Sequence, residues 1–171
     1  MTFTTSMDQI VRKKTVAVFV IFTIVTLPNL FHSSDRWIWY IGFFSFFMLL
    51  LLMTFLHKPL KYEVGNNKII IHRLIGSVAL NFLDIARVDR IHHDLLKNSS
   101  KGGAFGYFGK FNTDLGEIRF YATRRDRLVM LTNHDKTKII LTPDHIDDFI
   151  EDVETKASSQ QKYLQKQGLT M

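Results

Sequence analysis

The sequence predicts a two-helix transmembrane hairpin followed by a mainly-β domain. That domain has about seven strands, in orthogonal sheets or a partly open barrel, and a C-terminal α-helix caps it. Three observations predict this fold class. Two uncharged apolar runs lie within the first 56 residues. Short segments of alternating polarity follow, separated by Gly, Asn and Asp. The last apolar pattern has the helical period rather than the strand period. The 171-residue chain averages 46% hydrophobic and 22% charged residues, an ordinary balance only because its apolar residues are concentrated at one end.

The clearer run is residues 37–56, WIWYIGFFSFFMLLLLMTFL, which contains no charge. About 20 residues at roughly 1.5 Å each cross the ~30 Å hydrocarbon core. Residues 15–31, TVAVFVIFTIVTLPNLF, form a second uncharged run near the short end for a span. Read alone, it is either a signal peptide with Arg12-Lys13-Lys14 as its basic flank or the first arm of a hairpin turning at residues 32–36. The poor cleavage signal and the immediate second span favour the hairpin. Gly42-Phe43-Phe44-Ser45 gives that second span a small-residue notch for helix packing.

Orientation follows from the flanking cations. Arg12, Lys13 and Lys14 precede the first run and Lys58 and Lys61 follow the second, whereas the short connection holds only Arg36 beside Asp35. Positive charge marks the cytoplasmic side, so both termini are expected in the cytoplasm and Trp37, Trp39 and Tyr40 at the outer interface. The expected location is the cytoplasmic (inner) membrane, multi-pass. Of the formal net charge of +6, four units belong to residues 1–61, where six Lys and Arg face only Asp8 and Asp35. Much of the basic excess is therefore topological, and no nucleic-acid partner is expected. With no cysteine, the chain has neither disulfide nor thiolate chemistry.

The expected organisation is a cytoplasmic N-terminus at 1–14, a hairpin at 15–56, a cytoplasmic β-domain at 61–157 and a flexible tail at 158–171. Within the domain, KYEV and KIIIHR flank Gly65-Asn66-Asn67, a tight hairpin composition. SVALNF alternates Val78, Leu80 and Phe82 with small or polar residues, and DIARVDRIHH reads as a fourth strand. EIRFYAT places Ile118, Phe120 and Ala122 on one face, and RLVMLTN and KTKIILT follow around a turn at His134-Asp135. Thr142 is the expected N-cap of the last helix, with Pro143 at its first position. Ile146, Phe149, Ile150 and Val153 form its apolar stripe, and Asp144, Asp147 and Asp148 load its first turns with negative charge, which the helix dipole favours.

Particular residues then point to a family. GGAFGYFGKF at 102–111, RFYATRRDRLVML at 119–131 and TKIILTPDHIDDFI at 137–150 resemble the membrane-anchored bacterial pleckstrin-homology (PH)-like domain family. The resemblance covers about residues 61–155, and it implies a PH-like fold and membrane association but no activity. Phosphoinositide-binding PH domains clamp phosphate with a basic first hairpin loop. Here that loop is the uncharged Gly65-Asn66-Asn67 with only Lys68 beside it, which argues against phosphoinositide recognition there.

Candidate chemistry is sparse. His92-His93-Asp94, with His72, has metal-ligand residue types, but neighbours on a strand face opposite ways and no HxH or HExxH spacing supports a metal site. No serine sits in a nucleophile-elbow context, so neither catalytic residue nor cofactor is expected. The glycine loop lies between strands, with Phe111 after Lys110, and so lacks the strand-to-helix setting of a phosphate cradle. Its glycines are read as serving backbone geometry, with Phe108 folding over the core and Tyr107 turned outward. Phe105, Tyr107, Phe108 and Lys110 of this loop, and Arg124, Arg125 and Arg127 of the basic turn, are the candidate membrane or partner contacts. The resulting expectation is a non-catalytic module that tethers or regulates a protein partner, or a second copy of itself, at the membrane. A lipid-headgroup-sensing module is the alternative reading, and an enzyme a distant third.

Overall fold

A computed structural model of the protein describes residues 1–30, 37–92, 106–113, 116–124 and 126–167. The two apolar runs are helices, α1 (Gln9–Leu30) and α2 (Trp37–Leu56). Asp8 starts α1 by accepting the Val11 N–H at 2.6 Å, an N-cap of the usual kind. Pro59, three residues beyond α2, cannot continue the helix. Phe22 in α1 stacks on Phe44 and Phe47 of α2 at 5.3 and 4.0 Å, so the two helices pack side by side near their middles. Many of their other apolar side chains, among them Val20, Ile24, Phe43, Phe46 and Leu52, are exposed. Among the described residues one helical stretch, Ile38–Leu56, is long and apolar enough to cross a membrane. Arg12, Lys13 and Lys14 occupy the early turns of α1 and shorten its apolar part. A Cβ added at Gly42 would meet nothing within 4 Å, so the notch around it receives no close helix.

Outside these two helices the chain builds two sheets. Strands β1 (Thr2–Thr4), β2 (Pro59–Val64), β3 (Lys68–Arg73) and β4 (Ser77–Asn81) form an antiparallel sheet in that order. One 3₁₀ turn, Phe82–Asp84, leads to β5 (Ile85–Ile91). Strands β6 (Tyr107–Thr113), β7 (Gly116–Ala122), β8 (Leu128–Asn133) and β9 (Lys138–Leu141) complete the second sheet, ordered β5-β8-β9-β7-β6. Here β9 lies between its hairpin partner β8 and a parallel neighbour, β7. The chain leaving β7 must therefore pass the end of β9 to reach β8. Helix α3 (Ile146–Lys166) closes the domain.

The main core lies between the sheets and α3: Tyr62, Val64, Ile69 and Ile71 face Val129, Leu131, Ile139 and Leu141, with Ile146, Phe149 and Val153 supplied by the helix. A second cluster, Tyr107, Ile118, Phe120, Ala122 and Ile140, occupies the other face of the second sheet and takes in Val11 of α1. Burial on both faces explains why β9 reads as an unbroken apolar run, Ile139-Ile140-Leu141.

The structure corrects four expectations. Nine strands, not seven, occur among the described residues. Thr2–Thr4, expected as part of a plain N-terminal segment, is an edge strand whose Phe3 joins the main core. The second half of the glycine loop is strand β6, paired with β7 along its whole length. Helix α3 begins at Ile146 rather than Pro143 and runs on to Lys166 through the stretch expected as a tail, where no Gly or Pro interrupts good helix formers such as Gln and Lys.

Candidate interaction site at the end of the apolar helix

Thr142 fails as a helix cap because its hydroxyl is used elsewhere. It accepts the Thr123 N–H at 3.0 Å, where the chain leaves β7, and the Thr142 N–H donates to the Tyr62 hydroxyl at 3.2 Å. Tyr62 in turn donates to the Tyr121 carbonyl at 2.6 Å. Thr123 donates to the Ser6 carbonyl at 2.7 Å, so Thr5, 2.6 Å from the Thr123 oxygen, must be the donor of that pair. Thr5, Thr123 and Thr142 are all buried; the Thr123 and Thr142 hydroxyls satisfy backbone groups outside the ladders, and the Thr5 hydroxyl is satisfied by Thr123. Burial pushes the Tyr62 phenol above its ordinary pKa.

This hydroxyl network continues outward as a charged clasp. Asp144 accepts from Thr4 Oγ1 at 2.9 Å, Ser6 Oγ at 2.6 Å and Arg124 Nη1 at 3.1 Å. Arg124 also grips Asp126 with two 2.6 Å bonds, and Arg127 donates to the Asp144 carbonyl. The Arg124 hydrogen bonds hold the Asp126 carboxyl below the usual carboxylate range. Burial would raise Asp144, yet donation from Ser6, Thr4 and Arg124 outweighs it and the net direction is downward. The basic turn thus fastens the segment ahead of α1 to the connection between β9 and α3.

The candidate contacts separate accordingly. Phe105 and Arg125 lie outside the described residues. Arg124 is spent on two carboxylates and its side chain is 13% exposed, while Arg127 remains about half exposed. Lys110 is exposed and pairs with Glu117 at 3.3 Å, a contact of the kind worth little in water. Tyr107 and Phe108 exchange their expected places. Tyr107 is 1% exposed within the second cluster, and Phe108 is the half-buried neighbour that reaches a surface groove. The reason is the alternation of β6 against β7, which puts adjacent residues on opposite faces.

Gly106, just ahead of this strand, and Gly109 within it do carry positive φ, +146° and +105°, but they are not equivalent. A Cβ at Gly106 would lie 2.6 Å from the Phe108 ring and 2.7 Å from the Ala122 carbonyl, whereas at Gly109 it would meet nothing. Gly109→Val is expected to cost about 1–3 kcal/mol of backbone strain. Gly106→Val adds a clash of roughly another 1–3 kcal/mol. Equal denaturation midpoints for the two variants would contradict this geometry.

The groove that Phe108 reaches encloses about 410 Å³ between the last turn of α2 and the second sheet, and Met53, Thr54, His57, Arg73, Gly109 and Tyr121 complete its lining. The β3–β4 turn fixes it from below, because the Ile75 N–H donates to the Leu56 carbonyl at 3.2 Å. Sequence reasoning missed His57 and Arg73, which lie 16 positions apart and meet only through this fold. One signal was available: Leu74 and Ile75 are apolar in a turn where polar residues are usual, and they are 46% and 54% exposed.

Of the histidine cluster, His93 and Asp94 lie outside the described residues, and His72 pairs with Glu63 at 2.8 Å. No group of three or more His, Asp or Glu placed to hold a metal occurs among the described residues. The family model described as bacterial PH domain matches residues 60–157. No curated protein and no solved structure matches the chain.

Proposed function

We propose that this chain, which belongs to the bacterial PH domain family, is a membrane-anchored, non-catalytic interaction module that tethers or regulates a protein partner at the cytoplasmic membrane surface. In this reading α1 and α2 cross the bilayer as a hairpin. One observation carries it: β1, ahead of α1, pairs with β2, just after α2, with Thr2, Phe3 and Thr4 opposite Glu63, Tyr62 and Lys61. Two ends joined in one sheet must lie on one side of any bilayer that the helices cross. The exposed apolar side chains of both helices and the cations Arg12, Lys13, Lys14, Lys58 and Lys61 at that same end support the cytoplasmic side.

The absence of cysteine makes a clean test. Ser159→Cys is expected to stay unlabelled by an impermeant thiol reagent added outside intact cells and to label only after the membrane is opened. Ser33→Cys is expected to label from outside. The reverse pattern would sink the topology. In-membrane crosslinking from the exposed face of α3 then addresses the partner, and adducts confined to a second copy of this chain would make it a homo-oligomer.

A further inference from the structure

Arg73 in the groove below α2 carries a donor without an acceptor among the described residues. Its Nε is shielded from solvent and has no hydrogen-bond partner among the described residues. Other arginines of the domain are committed: Arg87 to Asp89, Arg90 to Asp147 and Arg124 to Asp126 and Asp144. Buried polar groups are ordinarily satisfied, so an arginine that lines a groove with its Nε unsatisfied points to an anionic acceptor there. His57 stands at the same groove with Nδ1 2.8 Å from the Met53 carbonyl, which can only accept, so Nδ1 holds a proton and Nε2 is left for another partner. Met53 and Phe108 add apolar side chains to the lining.

Position says which anion. The groove begins in the final turn of the apolar helix, and the β3–β4 turn is hydrogen-bonded to Leu56, the last residue of that helix. Leu74 and Ile75 of this turn expose apolar side chains beside it. If α2 spans the bilayer, these residues stand at headgroup depth, with acyl chains on one side and water on the other.

We propose that this groove holds the phosphate headgroup of a membrane phospholipid, with Arg73 donating to the phosphate, His57 at the rim and Met53 and Phe108 against the upper acyl chain. The proposal rests on the anchoring reading above, and it also sets the domain's orientation, with the β3–β4 turn toward the bilayer. Planar arginine suits phosphate oxygens, and the site is separate from the first hairpin loop at Gly65-Asn66-Asn67.

The test uses full-length protein in detergent supplied with phosphatidylglycerol, with bound lipid counted by native mass spectrometry. Wild type is expected to retain one lipid per chain. Arg73→Gln is expected to weaken retention about tenfold, the loss of one charge-assisted contact, while Arg119→Gln, at an exposed side chain of β7, leaves it unchanged. Wild-type retention by folded Arg73→Gln would overturn the proposal. Should that variant not fold, His57→Gln, altered at an exposed side chain, is expected to weaken retention about threefold, and unchanged retention there would overturn it equally. Displacement of the lipid by inorganic phosphate would make this a free-phosphate site and also overturn it. Alkaline extraction of membranes separates the two readings. A chain released by alkali loses the anchoring reading and the lipid site with it, whereas an integral chain whose Arg73→Gln form keeps its lipid loses the lipid site alone.

Discussion

Phe149→Ala is expected to lower the unfolding free energy by about 3–5 kcal/mol, the range for emptying a buried phenylalanine site. Phe149 is fully buried where three parts of the chain meet. Its ring lies 5.2 Å from Phe3 of β1 in an edge-on arrangement and 6.1 Å from Tyr62 of β2. These neighbours belong to a hydrogen-bonded sheet and cannot collapse easily into the space left behind. Urea denaturation of wild type and variant measures the difference. A cost below about 1 kcal/mol would mean that α3 does not close the core, because surface changes usually stay within that size.

The second large effect concerns residues 1–6. A soluble protein made of residues 61–157 alone is the domain the sequence suggests, but it lacks Phe3, Thr5 and Ser6. Without them Phe149 and Tyr62 lose an aromatic neighbour, and Asp144 loses the Thr4 and Ser6 donors. Loss of Phe3 alone is expected to cost about 3–5 kcal/mol. Joining residues 1–6 to residues 59–167 through a flexible Gly/Ser linker is therefore expected to give a Tm more than about 10 °C above that of the 61–157 fragment. Matching melts would show that β1 is a passive edge.

Much of this fold was legible locally. The run at 37–56 is defined by missing charge over a membrane's thickness. Strands β2 and β3 follow from the turn composition of Gly65-Asn66-Asn67 between them, β4 from the alternation of Val78 and Leu80, and the apolar stripe of α3 from Ile146, Phe149, Ile150 and Val153. What escaped is non-local. Strand β1 offers three residues with one apolar side chain, and its partner lies about 60 positions away across both helices. Strand β6 was hidden by its glycines, since Gly106 and Gly109 are loop-forming residues, yet the ladder to β7 starts directly after Gly106 and continues through Gly109. The Thr142-Pro143 pair has the composition of a helix start, and only the passage of the chain past β9 shows why its hydroxyl serves Thr123 instead. The groove was illegible for the same reason, since nothing near Arg73 in sequence announces His57 or Phe108.

The central claim is that one sheet joins the chain ahead of the helical pair to the chain behind it. Thr4 and Lys61 are opposite each other in the β1–β2 ladder, and directly paired antiparallel residues sit about 4.5–5.5 Å apart, within reach of a disulfide. The most direct measurement is oxidation of a Thr4→Cys/Lys61→Cys double variant in native membranes, followed by cleavage between the two positions. The account predicts a crosslink that holds the two fragments together, and none in a Thr4→Cys/Ser77→Cys control. Fragments that separate in both variants would contradict it.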